Sequence, residues 1–193
     1  MRYRDPDGHR VELINEQGAD RQEVKGRLLF NLAKNERKHF EIKYDKETNE
    51  YTLGFKGDVN KALSQPHTEA FAMLVLAVNH PDTIKVAIAD NCLEKGAGGN
   101  TVQASSENGG RTLRASESLS GEVEVYLARN GAKEPATGTD GKPIHTPKSI
   151  VAAHEVFGHG LDLISIGVSS EVSAVIVENL VRTGRGLPVR AQE

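Results

Sequence analysis

The chain contains no tryptophan, a single cysteine and no long apolar run. A transmembrane helix needs about 20 consecutive, mostly apolar residues, so the sequence predicts no membrane association. Cys92 can form no internal disulfide, and the fold must therefore be stable without one. Positive charge is not in excess, because 24 Lys and Arg residues face 27 Asp and Glu residues. This balance argues against a nucleic-acid partner.

The residues that are present indicate one folded α+β domain. A chain of 193 residues, 37% hydrophobic and 26% charged, can bury a single core. Apolar residues recur with helical spacing in residues 20–35 and 68–79, and they alternate with polar residues in 39–57, 84–88 and 121–129. We therefore expect a small mixed or antiparallel sheet packed on helices, with a further, metal-binding helix near the C-terminus.

Residues 91–121 are rich in Gly, Ser and Asn and predict a long excursion with short β-like pieces. Its role, as a lid or as decoration, stays open. Residues 121–129 follow it with a clear strand pattern. By its order in the chain this strand is the best candidate for a sheet edge beside the metal-binding helix, although an interior strand has the same pattern.

The N-terminal stretch YRDPDG, residues 3–8, predicts a turn, since Pro fixes φ and Gly tolerates positive φ. It resembles the Tyr-x-Asp-Pro-x-Gly element that closes the core of RHS/YD-repeat proteins, after which a variable C-terminal toxin domain begins. The resemblance implies that residues 1–18 are a linker from such a core. Residues 19–193 would then form the functional domain.

The segment IVAAHEVFGHG, residues 150–160, holds the densest set of functional groups. Thr146 as N-cap and Pro147 at the first helical position predict a helix over residues 147–159. His154 and His159 on this helix are five residues apart. Such a pair diverges by about 140° in an α-helix, whereas a pair four residues apart diverges by only about 40°.

Two backbone changes would turn both histidines toward one ion. One is a π-type bulge, which occurs mostly as a single turn at functional sites. The other is an unwound last turn after Phe157. Gly158 favours either change, because glycine accepts backbone angles that other residues resist.

His154-Glu155-Val156-Phe157-Gly158-His159 resembles the His-Glu-x-x-Gly-His motif of the dipeptidyl peptidase III family, a longer variant of the zincin signature His-Glu-x-x-His. The resemblance implies that both histidines bind Zn²⁺ and that Glu155 is the general base. Two solvated surface histidines are the plain alternative. Apolar residues on both sides of the motif argue against it: Ile150, Val151, Ala152, Ala153, Leu161, Leu163, Ile164 and Ile166.

A catalytic zinc ion usually has three protein ligands, and residues 169–182 offer two carboxylates on a predicted helix. Glu171 and Glu178 share one face but lie about 10.5 Å apart along the axis, so only one can bind the same ion. We expect Glu171, because a short connection folds it back toward His159. Many glutamate-type zincins similarly have a small residue, here Ala174, three positions after the ligand. Glu178 is the second choice; otherwise it orients a histidine or pairs with Arg182.

With three ligands in place, the expected chemistry is hydrolysis of a peptide bond. Zinc would activate a water molecule and polarise the carbonyl, while Glu155 accepts the proton and passes it to the leaving amine. The developing oxyanion needs a further donor. Tyr126, Arg182 and His145 stay open for that role.

The layout resembles the zinc metallopeptidase effector domains that bacteria deliver into host or rival cells. The resemblance implies a toxin endopeptidase acting on protein or peptide, an immunity protein as partner, and secretion or delivery as part of a larger exported polypeptide, since the chain shows no signal peptide. Two alternatives stay open: a zinc-dependent amidohydrolase on a non-protein substrate, and a non-enzymatic interaction module with a structural metal.

Overall fold

The computed structural model describes residues 11–96, 98–106 and 109–192, so the turn predicted at residues 3–8 lies outside the described residues. The strands are β1 Val11–Leu13, β2 Phe40–Asp45, β3 Glu50–Phe55, β4 Ile84–Ile88, β5 Asn91–Lys95, β6 Thr101–Ser105, β7 Gly110–Leu113, β8 Val123–Leu127, β9 Ala136–Thr137 and β10 Pro143–Ile144. The helices are α1 Gly18–Leu29, α2 Val59–Leu63, α3 Glu69–Asn79, α4 Lys148–Ala152, α5 Leu161–Ile166 and α6 Glu171–Gly184, with a π-helical segment Ala153–Gly160 between α4 and α5.

Six strands form a mixed sheet in the order β2-β3-β1-β4-β8-β7. The central pairs β1–β4 and β4–β8 are parallel, and the outer pairs are antiparallel. Leu53, Val11, Ile84 and Val123 are register partners in one row across four strands, and all four are buried. The α+β prediction of a mixed sheet on helices is confirmed at this level.

The helices pack on the face of the sheet that carries this apolar row. Phe71, Leu74, Val75 and Val78 of α3 are all buried, as their helical spacing predicts. The opposite face carries charge: Lys85 Nζ lies 3.5 Å from Glu12 and 3.0 Å from Glu122. Within the described ranges, no helix combines the length and the apolar composition that a bilayer span requires.

The body of the domain begins before residue 19. Val11–Leu13 lies in the interior of the sheet, between β3 and β4, although the sequence placed these residues in a linker over 1–18. Val11 and Leu13 are 0% and 2% exposed, whereas Glu12 lies on the charged face. The sequence predicts a short β-like stretch after the turn at residues 3–8, but three alternating residues do not predict an interior position, which depends on pairing with β3 and β4.

Of the two positions left open for residues 121–129, the interior one is observed. β8 pairs with β4 on one side and with β7 on the other. The edge strand is β7, at Gly110–Leu113, which the excursion over residues 91–121 had concealed. The same excursion contains the β5–β6 hairpin, and Arg111 of β7 donates to Glu94 of β5 at 3.0 Å.

A single long helix carries the histidines, because α4, the π-helical segment and α5 follow one another without a break. The helix begins one residue later than predicted: Pro147 occupies the N-cap position, and no side-chain hydrogen bond caps it. The Thr146 hydroxyl instead accepts from Arg182, at 3.1 Å. The chain then turns at Gly167, whose φ of 75° is left-handed, and α6 starts with Ser170 as its N-cap; the sequence leaves the cap open between Ser169 and Ser170.

The long helix and α6 approach most closely at Gly158. A Cβ atom at this position would lie 2.7 Å from Cα and 2.8 Å from Cβ of Ala174. Only a glycine fits this contact without displacing the backbone of α6. Because Glu171 lies one helical turn before Ala174, the contact also sets how close Glu171 comes to the two histidines.

We predict that Gly158→Ala lowers the free energy of unfolding by about 1–3 kcal/mol, as overpacking against a backbone does. Gly26→Ala is the control, since a Cβ atom on this helical glycine meets nothing within 4 Å. The control should leave stability unchanged or raise it by up to about 1 kcal/mol. Denaturant unfolding with a chelator present separates packing from metal loss, and equal stability of Gly158→Ala and wild type would contradict the close approach.

Candidate metal centre

Three side chains from two helices converge at one point. Nε2 of His154 and Nε2 of His159 each lie 3.4 Å from Oε2 of Glu171. The three atoms all lie within 4.8 Å of one another. The histidine spacing is resolved by the π-helix: its hydrogen bonds run from residue i to i+5, so residues five apart stack about one turn above each other.

These distances fit a tetrahedrally bound divalent ion. Metal–nitrogen and metal–oxygen bonds of about 2.0 to 2.1 Å place tetrahedral ligands about 3.3 to 3.4 Å apart. Both histidine–glutamate distances, 3.4 Å, match this edge. His154, His159 and Glu171 can therefore hold a metal ion, and three protein ligands leave a fourth position for water or substrate.

Each histidine is held from behind through its other ring nitrogen. Nδ1 of His154 lies 3.0 Å from Oε2 of Glu178, and Nδ1 of His159 lies 2.7 Å from Oγ of Ser169. Metal-binding histidines commonly use the second nitrogen in this way, which fixes the ring and directs Nε2 to the ion. Glu178 therefore lies on the far side of His154 from Glu171.

Arg182 balances the buried carboxylate of Glu178. Arg182 is 0% exposed and donates from Nε to Oε1 of Glu178 at 2.6 Å. Burial would raise the pKa of Glu178, but contacts with His154 and Arg182 outweigh it and hold the pKa below its usual value. Hydrogen bonds from His154 and His159 lower the pKa of Glu171. Both carboxylates are therefore negatively charged at neutral pH.

The same carboxylates make the histidine pair attractive to a cation. Burial alone would lower the pKa of His154, but hydrogen bonds to Glu171 and Glu178 outweigh it and raise the pKa to about 9. The Nε2 atoms of His154 and His159 face the same carboxylate oxygen. Either a proton on the histidines or a metal ion between them and Glu171 would therefore offset the negative charge of these carboxylates.

Glu155, the predicted base, lies between the ligands and the edge strand. It is 8% exposed, and Oε2 accepts a hydrogen bond of 2.6 Å from the Thr112 hydroxyl. A Cβ atom at Gly110 would lie 2.8 Å from both Cδ and Oε1 of Glu155. The glycine in β7 thus makes room for the carboxylate, and Thr112 orients it.

Two adjoining pockets, together called the cleft, lie beside the triad. One part, of about 340 Å³, is lined by Ala132, Pro135, Ala136, Thr146 and Arg190 among others. The other, of about 310 Å³, is lined by Arg111, Arg114, Leu163, Ser169 and Ser170 among others. Gly110, Glu155 and Glu171 line both parts. The cleft therefore continues on both sides of the candidate metal position.

None of the three residues considered as oxyanion donors lines the cleft with its side chain. The Tyr126 hydroxyl donates to Glu124, Arg182 is engaged with Glu178 and backbone carbonyls, and the His145 side chain is exposed outside the cleft. Arg190 lies in the cleft instead, 3.1 Å from Oε1 of Glu171. No sequence pattern predicts this position for Arg190, because its contact depends on the path of the C-terminal segment.

No protein-family model, no curated protein and no solved structure matches the chain. The resemblances to zincins, to the dipeptidyl peptidase III motif and to RHS-repeat proteins therefore stay predictions.

We predict near one bound divalent metal ion per chain in the wild type and loss of that ion in His154→Ala, His159→Ala and Glu171→Ala, since each removes a ligand. Glu178→Gln should instead keep the ion but weaken its affinity about 10- to 100-fold, as loss of an outer partner does. His67→Ala is the control, because His67 lies in a loop outside the cleft. Metal content by mass spectrometry checks this; complete loss in Glu178→Gln with retention in Glu171→Ala would reverse the ligand assignment.

Proposed function

We propose that the chain is a zincin-like, zinc-dependent endopeptidase. The observation that carries this proposal is the cleft that passes the His154, His159 and Glu171 triad and stays open on both sides of it. A polypeptide can lie through such a cleft with chain on both sides of the bond to be cut. A donor set of two imidazoles and one carboxylate suits Zn²⁺.

The edge strand β7 supports a polypeptide substrate. In the described part of the chain, no strand pairs with its outer side. The Ala128 amide donates to the Gly109 carbonyl at 2.9 Å, and the alternation of antiparallel pairs turns the peptide groups of Gly110 and Thr112 away from β8. Within the described residues no backbone hydrogen bond occupies these groups, so they can bind an extended chain by main-chain hydrogen bonds, which gives affinity without strict sequence preference.

When bound, Zn²⁺ would lower the pKa of a coordinated water toward about 7 and polarise the substrate carbonyl. The chain's own contribution is the placement of Glu155, whose carboxylate lines both parts of the cleft beside the triad. Glu155 accepts a proton from the attacking water and donates it to the leaving amine. The hydrogen bond from Thr112 holds one carboxylate oxygen and leaves the other for this transfer.

We further propose that the peptidase acts as a delivered effector. The support is the sequence resemblance alone: the RHS-like stretch at residues 3–8, followed by a small α+β domain with a late His-Glu motif. In this setting the substrate is a protein of the target cell, an immunity protein protects the producer, and delivery is carried out by the larger exported polypeptide.

The two alternative functions, an amidohydrolase and a non-enzymatic module, make different demands on the cleft and on Glu155. An amidohydrolase for a small substrate would use the same triad and Glu155, but the open ends favour a longer chain. A non-enzymatic module with a structural metal would need neither the open fourth position nor Glu155. Glu155 is no part of the ligand triad, yet it is 8% exposed and oriented by Thr112, which favours a chemical role.

We predict that Glu155→Gln keeps one zinc ion per chain but lowers kcat about 10²- to 10⁴-fold, since it removes the general base. Glu47→Gln, an exposed glutamate in the β2–β3 turn, is the matched control and should retain full activity. Turnover is measured on a mixture of unstructured 20-residue peptides, with the cut positions located by mass spectrometry.

Cuts within the peptides that disappear in Glu155→Gln would support the endopeptidase. Full hydrolysis by Glu155→Gln would contradict the role of the base. Zinc-loaded, folded wild type that cuts none of the peptides would count against the peptidase and turn attention to the amidohydrolase.

A further inference from the structure

Arg190 bridges the two carboxylates around His154. Its NH2 lies 3.1 Å from Oε1 of Glu171, and its NH1 lies 3.4 Å from Oε2 of Glu178. The side chain is 25% exposed, so these contacts are partly shielded from water. The planar guanidinium can hold two separate carboxylates at once, which a lysine ammonium does less well.

The segment after α6 holds Arg190 in this position. Asn179 of α6 binds the backbone of Arg190 on both sides, donating to its carbonyl at 2.8 Å and accepting from its amide at 2.7 Å. The Ala191 amide donates to the Thr137 carbonyl at 2.8 Å. The backbone that carries the guanidinium is therefore fixed to α6 and to β9.

Arg190 and the two histidines contact different oxygens of the Glu171 carboxylate. Oε2 faces both histidine nitrogens at 3.4 Å, while Oε1 faces Arg190. A free carboxylate can bind an ion through one oxygen or through both. A charge-assisted hydrogen bond on Oε1 keeps that oxygen turned from the ion, and Glu171 then occupies a single coordination position.

We propose that Arg190 is a positioning residue of the metal centre, which restricts Glu171 to coordination through one oxygen and so keeps the fourth position open. The inference rests on the proposed metal site. It adds a specific role for the C-terminal segment: Leu187–Arg190 completes the site even though it carries no ligand. Arg182, which contacts only Glu178 of the two carboxylates, cannot perform this role.

The test uses Co²⁺ in place of Zn²⁺, because the visible absorption of Co²⁺ is strong in four-coordinate sites and weak in six-coordinate ones. We expect wild type to show strong absorption and Arg190→Gln to show weaker, shifted bands, with the affinity for Zn²⁺ reduced about 10- to 100-fold. Arg190→Lys keeps the charge without the fork and should show the same change in the bands.

Arg185→Gln is the control for loss of an arginine that ties the C-terminal region to the body. Arg185 donates to Asn31 at 3.2 Å and to Ser149 at 2.8 Å, and it contacts neither carboxylate. The Arg185→Gln variant should have a lower melting temperature than the wild type and unchanged Co²⁺ bands. A positioning role is thereby separated from a general effect on stability.

Wild-type bands in Arg190→Gln would overturn the inference, and so would full recovery in Arg190→Lys, which would make charge rather than geometry responsible. If the wild type binds no metal, the proposed function is wrong, and the role of Arg190 is wrong with it. If the wild type binds metal but cuts no peptide, the absorption and affinity measurements still decide the role of Arg190.

Discussion

The geometry of the site depends on one close contact between helices, at Gly158 and Ala174. Gly158 lies within the π-helical segment, one residue before His159, and the missing side chain lets the backbone of α6 come within van der Waals distance. Without this approach Glu171 would remain away from the histidines. The histidines are five positions apart, and the glycine between them that directly precedes His159 is the same residue that lets Glu171 approach.

The sequence predicted those parts of the fold that repeat a local pattern. The helical stripe of α3 and the alternating patterns of β2, β3, β4 and β8 are confirmed as a helix and as strands. For β1 and β7 the sequence indicated only short β-like stretches, and their bounds and their places in the sheet were not predicted, since three and four residues carry too little pattern. Strand order is likewise a property of the packed chain.

For the candidate site, too, the local pattern was predicted and the contacts between distant residues were not. Its motif residues could be named from the sequence, and the spacing of the histidines narrowed the backbone to two forms, of which the π-helix is observed. The choice between Glu171 and Glu178 depended on which carboxylate faces Nε2 and which faces Nδ1 of His154. Arg190 was missed because it lies 19 residues from Glu171 and reaches it only through the fixed C-terminal segment. The roles of the ligands and of the base stay predictions.

The interior position of β1 has a mechanical consequence. Any pull on the chain ahead of Val11 acts first on a three-residue strand that joins the β2–β3 hairpin to β4, β8 and β7. Its removal divides the sheet in its middle, whereas loss of an edge strand would only shorten it. A polypeptide threaded from this end through a narrow channel would therefore lose its central strand early and with few hydrogen bonds to break.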